Sequence, residues 1–213
     1  AGAVGAGAPG GGAPTSGADP AAARRDAGVP SPAKARELLA SLAVKGRAPA
    51  TGYDRVERFG EAWRDVDGNG CDTRDDILAR DLVDARTRSD CRVLTGTLHD
   101  PYTGRTIAFE RGVQTSAAVQ IDHVVALMDA WQTGAQALTD DQRVRLANDP
   151  LNLVAVDGPT NQAKGAGDAA TWLPPSAGYR CTYASRQVAV KARYALWVTP
   201  AEKDALTRLL ARC

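Results

Sequence analysis

The stretch from Val119 to Trp172 gathers the residue types best able to do chemistry. Asp122 and His123 stand side by side in an apolar run, VQIDHVV, and Asn161 and Lys164 follow a second such run, LNLVAV. A carboxylate and an amide carbonyl are hard oxygen donors, suited to Mg²⁺ or a similar ion that keeps several of its waters. A neutral imidazole next to them can take a proton from an attacking water. One cation so held can neutralise a phosphate and stabilise a departing oxygen. The chemistry that fits is phosphodiester hydrolysis.

Those residues need a frame, and the periodicity supplies one. Ala118–Val125 and Leu151–Val156 read as strands, and Asp157-Gly158-Pro159 opens a helix through Thr160–Lys164. Lys164 lies one helical turn from Asn161, on the same face, where it is expected to meet a phosphate. Between the strands, Ala126–Leu146 has a helical period broken near Thr133-Gly134 and restarted at Thr139-Asp140-Asp141. Upstream, Arg92–Leu98 and Thr106–Glu110 flank a DPYTG turn, a hairpin signal. Helical patterns come first: Ser31-Pro32 with AKARELLASLA, the short amphipathic YDRVERFGEAW, then DDILARDLVDA. They return last, over Tyr183–Val198 and from Thr199-Pro200 to Arg212. This order predicts an α+β fold, a helical periphery around a small antiparallel β element.

Residues 1–30 are mostly Ala, Gly, Pro and Ser and are expected to be a disordered leader or tether, leaving 31–213 as a single domain. No run is long enough for a membrane span. The net charge of +1 excludes a globally basic nucleic-acid binder but not a local basic groove. The candidate stripe is Arg180, Arg186, Lys191 and Arg193, with a solvated helix face as the competing reading. Cys71, Cys91, Cys181 and Cys213 are widely spaced, which fits two disulfides in an oxidising compartment and an extracellular protein. Of the three connectivities, Cys71–Cys91 with Cys181–Cys213 is favoured. Four buried free thiols are the alternative. A signal peptide already removed upstream of Ala1 would fit the expected secretion.

The loop from Asp65 to Asp76 has the spacing of a calcium loop: Asp65, Asp67 and Asn69 at positions 1, 3 and 5, Gly70 at 6, and Asp76 at 12. The alternative is a tight turn in which Asp72 or Thr73 caps the next helix. His99 is expected to face solvent on the hairpin. Trp172-x-Pro-Pro is expected to pack against and close the preceding helix.

The strings IDHVVALMDAW and NDPLNLVAVDGPTNQAKGAGDAATWLPP resemble the HNH, or ββα-metal (His-Me finger), nucleases, and more narrowly a branch of secreted bacterial HNH proteins. GNGCDTRDDILARDL and LHDPYTGRTIAFERG extend the likeness to roughly residues 50–213, with the ββα core at about 117–175. The resemblance implies His123 as general base, Asp122 and Asn161 as metal ligands, and Asn152 as the middle Asn, tying the loop and orienting His123. It also puts Asp72, Arg74 and Asp75 beside the site, with Arg74 clamping a phosphate. One departure is the long His123–Asn152 stretch with its own helix. The implied protein is a monomeric endonuclease using one divalent metal, Mg²⁺ foremost with Mn²⁺, Ca²⁺ and Zn²⁺ as alternatives. It would cut DNA, and RNA as a second candidate, with little sequence preference, giving 5′-phosphate and 3′-hydroxyl ends. The competing class is a non-catalytic secreted module, calcium-stabilised, that binds nucleic acid or a surface.

Overall fold

In the computed structural model the described residues are 19–213. Residues 1–18 of the expected leader lie outside them. Residues 20–25, assigned by composition to the tether, instead form helix α1 (Pro20–Arg25). Asp19 caps it, and Ala21 and Arg25 are buried, because Arg24 reaches the carbonyls of Arg80 and Leu82 and Arg186 reaches that of Arg25.

The remaining helices are α2 (Pro32–Ser41), α3 (Arg55–Phe59), α4 (Thr73–Asp81), α5 (Leu127–Gln132), α6 (Asp140–Asn148), α7 (Gly158–Lys164), α8 (Arg180–Arg193) and α9 (Pro200–Leu210). The strands are β1 (Leu82–Thr87), β2 (Val93–His99), β3 (Thr106–Glu110), β4 (Val119–His123) and β5 (Leu153–Asp157). An antiparallel sheet runs in the order β1-β2-β3, and β4 pairs antiparallel with β5. The fold is α+β, as expected. The β2–β3 hairpin, both strands of the second pair and the helix after them fall where the periodicity put them.

The β4–β5 pair lies at the centre. Leu153, Val154, Ala155 and Val156 have no exposed surface, which is why LNLVAV reads as an unbroken apolar run. One side chain set packs with α4 and the three-stranded sheet, through Ile77, Leu98 and Phe109. The other packs with Tyr102, Tyr179 and Tyr183. Trp172 joins this aromatic group, 5.0 Å from Tyr102 and 5.7 Å from Tyr183, as expected of a packing element.

Two helical expectations end early. DDILARDLVDA is helical only to Asp81, and Leu82–Thr87 leaves to pair with β2 as an edge strand. The last helix of the middle region starts at Arg180 and stops at Arg193. There Ala195 takes a positive φ, and the Trp197 and Val198 amides donate to the carbonyls of Thr133 and Ala43. Both disulfides join sequence neighbours, Cys71–Cys91 and Cys181–Cys213.

The stripe expected over Arg180–Arg193 is broken: two of its four cations leave the surface, while Arg193 is exposed and Arg180 half-buried. Arg186 and Lys191 are fully buried. Lys191 pairs with Asp129 and Glu202, Arg186 binds the carbonyl of Leu151 and the carboxylate of Asp26, and Arg193 binds Asp149. Arg186 and Lys191 hold helices together and cannot be part of a nucleic-acid surface. Buried charges persist in proteins only when so paired. No helix among the described residues is long and apolar enough to cross a membrane.

Candidate active site

An open cleft of about 320 Å³ lies where β4 meets α7, lined by Gln120, Asp122, His123 and Asn161, with Tyr53 and Arg55 on its rim. Asp157 caps α7: its Oδ2 accepts from the Thr160 amide at 3.0 Å and the Thr160 hydroxyl at 2.5 Å. Pro159 occupies the first turn, where its missing N–H costs nothing. Gly158 is required by close approach, since a Cβ there would sit 2.1 Å from the Ala117 carbonyl oxygen. The helix therefore lies flush on β4. Asn161 and Lys164, one turn apart, meet Gln120 and Asp122, alternate residues of the strand and so on one face.

His123 is 7% exposed and its ring is stacked near that of Trp63, centroids 6.1 Å apart. Its Nε2 lies 2.8 Å from the Ala147 carbonyl oxygen. A carbonyl can only accept, so Nε2 carries the proton and Nδ1 keeps its lone pair. Burial pushes the imidazole down to about 3, with smaller contributions in the same direction from Arg55 and Lys164. The ring is neutral across the ordinary pH range and can act as a base.

Asp122 is 5% exposed. Its Oδ2 accepts from the Tyr102 hydroxyl at 2.5 Å and its Oδ1 from Lys164 Nζ at 3.0 Å. Burial raises the carboxyl, and Lys164 and Tyr102 work against that rise. Lys164 also donates to the His123 carbonyl at 2.7 Å, and its side chain is wholly buried. It is not a phosphate contact: packing of α7 puts its ammonium beneath Asp122, out of reach of the cleft.

Asn161 donates from Nδ2 to Gln120 Oε1 at 3.0 Å, leaving its Oδ1 as an acceptor. Each oxygen of Asp122 has one donor and keeps a second acceptor position. With Gln120 these give a carboxylate and amide oxygens, a donor set that fits a hard cation retaining waters. It is poor for Zn²⁺, which prefers thiolate and imidazole ligands. Among the described residues no group of three or more His, Cys, Asp or Glu gathers as a metal site.

Asn152 is fully buried outside the cleft. Its Oδ1 accepts from the Val125 amide at 2.8 Å, its Nδ2 donates to the carbonyls of Val125 and Leu146, and its own carbonyl accepts from Val124. It clamps the chain just after His123 to the end of α6, whose Ala147 carbonyl holds the imidazole.

The other expected site residues lie elsewhere. Arg74 is on α4, its guanidinium 5.9 Å over the Phe109 ring, and does not line the cleft. Asp72 caps α4 by accepting from the Asp75 amide, and Asp75 is buried against Arg111 and the Val93 amide. In the Asp65–Asp76 loop the side chains are hydrogen-bonded within the loop. Asp65 accepts from the amides of Gly68 and Gly70, and Asn69 Nδ2 donates to Asp67 and Asp76. Asp72 caps the helix that follows, as the tight-turn reading expected. His99 is half-exposed and pairs with Asp19.

Tyr53, Arg55, Trp63, Tyr102 and Gln120 were not singled out from the sequence. Only Gln120, two residues before Asp122 on a strand, carried a local signal. The others arrive from distant parts of the chain.

Residues 72–209 match the family described as GmrSD restriction endonucleases, C-terminal domain. The chain belongs to this family. The family match spans β4, β5 and α7 and stops short of Tyr53 and Arg55. A protein named as an uncharacterized secreted protein from Arthroderma benhamiae is 39% identical over 187 residues, covering 87% of each chain. The likeness thus reaches a fungal protein, beyond the bacterial branch expected. No solved structure matches the chain. The secreted relative and the two disulfides agree, and the chain is a secreted protein.

Proposed function

We propose that this chain is a secreted, metal-dependent endonuclease of the HNH type that hydrolyses DNA, with RNA as a second candidate substrate, and with little sequence preference. The observation that carries the reading is the convergence of Asp122, His123 and Asn161 on one open cleft, with His123 held neutral and its Nδ1 unprotonated. Membership of an endonuclease family supports it.

In this reading His123 Nδ1 takes a proton from a water whose oxygen bonds to phosphorus as the P–O3′ bond breaks. The departing 3′ oxygen takes its proton from solvent, which leaves 5′-phosphate and 3′-hydroxyl ends. Asp122 and Asn161 Oδ1 would hold one divalent cation, Mg²⁺ foremost. When bound, the cation neutralises the phosphate and stabilises the leaving oxygen. Lys164 and Tyr102 fix the Asp122 carboxylate, and Ala147 and Trp63 fix the imidazole, so neither group reorganises during the reaction.

The test is plasmid nicking by the wild type and His123→Ala with a panel of divalent ions and with EDTA. Loss of the base is expected to slow cutting by ~10²–10⁴ with the circular-dichroism spectrum retained. Cutting by the variant at the wild-type rate would remove His123 from its role, and undiminished activity in EDTA would remove the metal.

A further inference from the structure

A phosphodiester entering the cleft brings negative charge, yet both cations expected to receive it are engaged elsewhere: Lys164 is buried against Asp122, and Arg74 lies over Phe109. Among the described residues one cation remains at the site. Arg55 lines the cleft beside Asp122, His123 and Asn161, and also the small recess between His123 and Trp63. Its side chain makes no ion pair or hydrogen bond among the described residues, and the residue is exposed. Its neighbour Arg58, by contrast, donates to the Gly52 carbonyl and lies over the Trp131 ring.

The backbone that carries Arg55 is nevertheless fixed. Asp54 caps α3 by accepting from the Glu57 amide at 2.8 Å, and Phe59 is buried with Tyr53 and Trp131, at centroid distances of 6.2 and 6.4 Å. A firmly held base with an unpaired guanidinium has no protein partner to give up when it binds an anion. The larger groove lined by Arg64, Arg145 and Arg193 lacks this property, because Asp141 and Asp149 lie in it and pair with two of the three.

We propose that Arg55 grips the substrate phosphodiester. Its planar fork donates two charge-assisted hydrogen bonds to the non-bridging oxygens of the phosphate attacked by the water that His123 deprotonates. The inference rests on the nuclease reading above and adds to it a residue outside the family match.

Three variants test it: Arg55→Gln, Arg55→Lys, and as a charge control Arg88→Gln, whose Arg88 pairs with Asp90 in the exposed β1–β2 turn. Binding of a fluorescent duplex oligonucleotide is measured in EDTA over a range of salt, and kcat/KM with the activating metal. For Arg55→Gln the expected results are kcat/KM lower by ~10–100-fold, as for loss of one charged hydrogen-bonding contact, and a log–log salt slope shallower by about 1. Arg55→Lys is expected to keep the slope while losing part of kcat/KM, since it keeps the charge without the fork. Arg88→Gln is expected to match the wild type. Arg55→Gln within twofold of the wild type in binding, slope and kcat/KM overturns the proposal alone, as does an equal loss in Arg88→Gln. A wild type that neither binds nor cuts nucleic acid overturns the nuclease reading and Arg55's role with it.

Discussion

His123 and Lys164 show how much a buried side chain depends on one or two partners. The folded imidazole is pushed down to about 3, whereas an unfolded chain titrates near 6.5. A depressed value favours the unprotonated form in the fold, so the stability linked to it is fully present above about pH 6.5. It is lost as pH falls from there towards 3, because only the unfolded chain takes up the proton. Urea unfolding at stepped pH is expected to show this decline in the wild type and a smaller one in His123→Gln. Parallel pH profiles in the two proteins would mean the ring is not buried neutral. Lys164 carries a different penalty. Lys164→Met would leave Asp122 with one donor in a buried site, and unfolding is expected to show a loss of ~3–5 kcal/mol, the range for breaking a buried pair from one side. A loss under 1 kcal/mol would show that Asp122 is better hydrated than its 5% exposure implies.

At the scale of elements, α7 sets the register between the two halves of the site. Its seven residues reach from the Asp157 cap to Gly165, whose positive φ lets the chain turn away after Lys164. Contact at Gly158 with the turn that leads into β4 is so close that Gly158→Ala must lift the start of the helix off the Ala117 carbonyl. A stability loss of ~1–3 kcal/mol is expected from overpacking, with a fall in nicking rate larger than that loss alone would cause, because Asn161 moves with the helix. Activity and midpoint both at wild-type levels would show that α7 does not position Asn161. The β4–β5–α7 succession was legible because each piece announces itself locally: an apolar run of strand length, then Asp-Gly-Pro. The early ends of α4 and α8 were not, because the residues that stop them pair with chain far away. Leu82 fits a helix period as well as it fits β1, and only β2 decides between them.

For the whole molecule, two disulfides close loops of sequence separation 20 and 32. Each is expected to contribute ~3–4 kcal/mol, mainly by restricting the unfolded chain. Cys71→Ser/Cys91→Ser and Cys181→Ser/Cys213→Ser double variants should each lose that much unfolding free energy in urea titrations, and variants as stable as the wild type would refute the contribution. The first bridge ties the loop before α4 to the turn before β2, and the second ties the start of α8 to the end of the chain after α9. Inside, Lys191 joins Asp129 of α5 to Glu202 of α9, and Arg47 joins Asp129 to Asp168. Among these cross-links, the ion pairs of Asp129 anchor α5, whose first residues line the cleft.

The sequence by itself determined the two strands and the helix that bring Asp122, His123 and Asn161 to one cleft, because these are written in short spacings and two periodicities, and it favoured the disulfide pairing that the fold adopts. Tertiary structure alone decided which charges are available. Asp122, Lys164, Arg186 and Lys191 look like surface residues on any helix or strand pattern, and only packing against distant partners shows them buried and paired. The same packing brings Arg55, from a short helix outside the family match, to the cleft beside His123 with no partner among the described residues. Pairing is a property of three-dimensional neighbours, and no spacing along the chain encodes it.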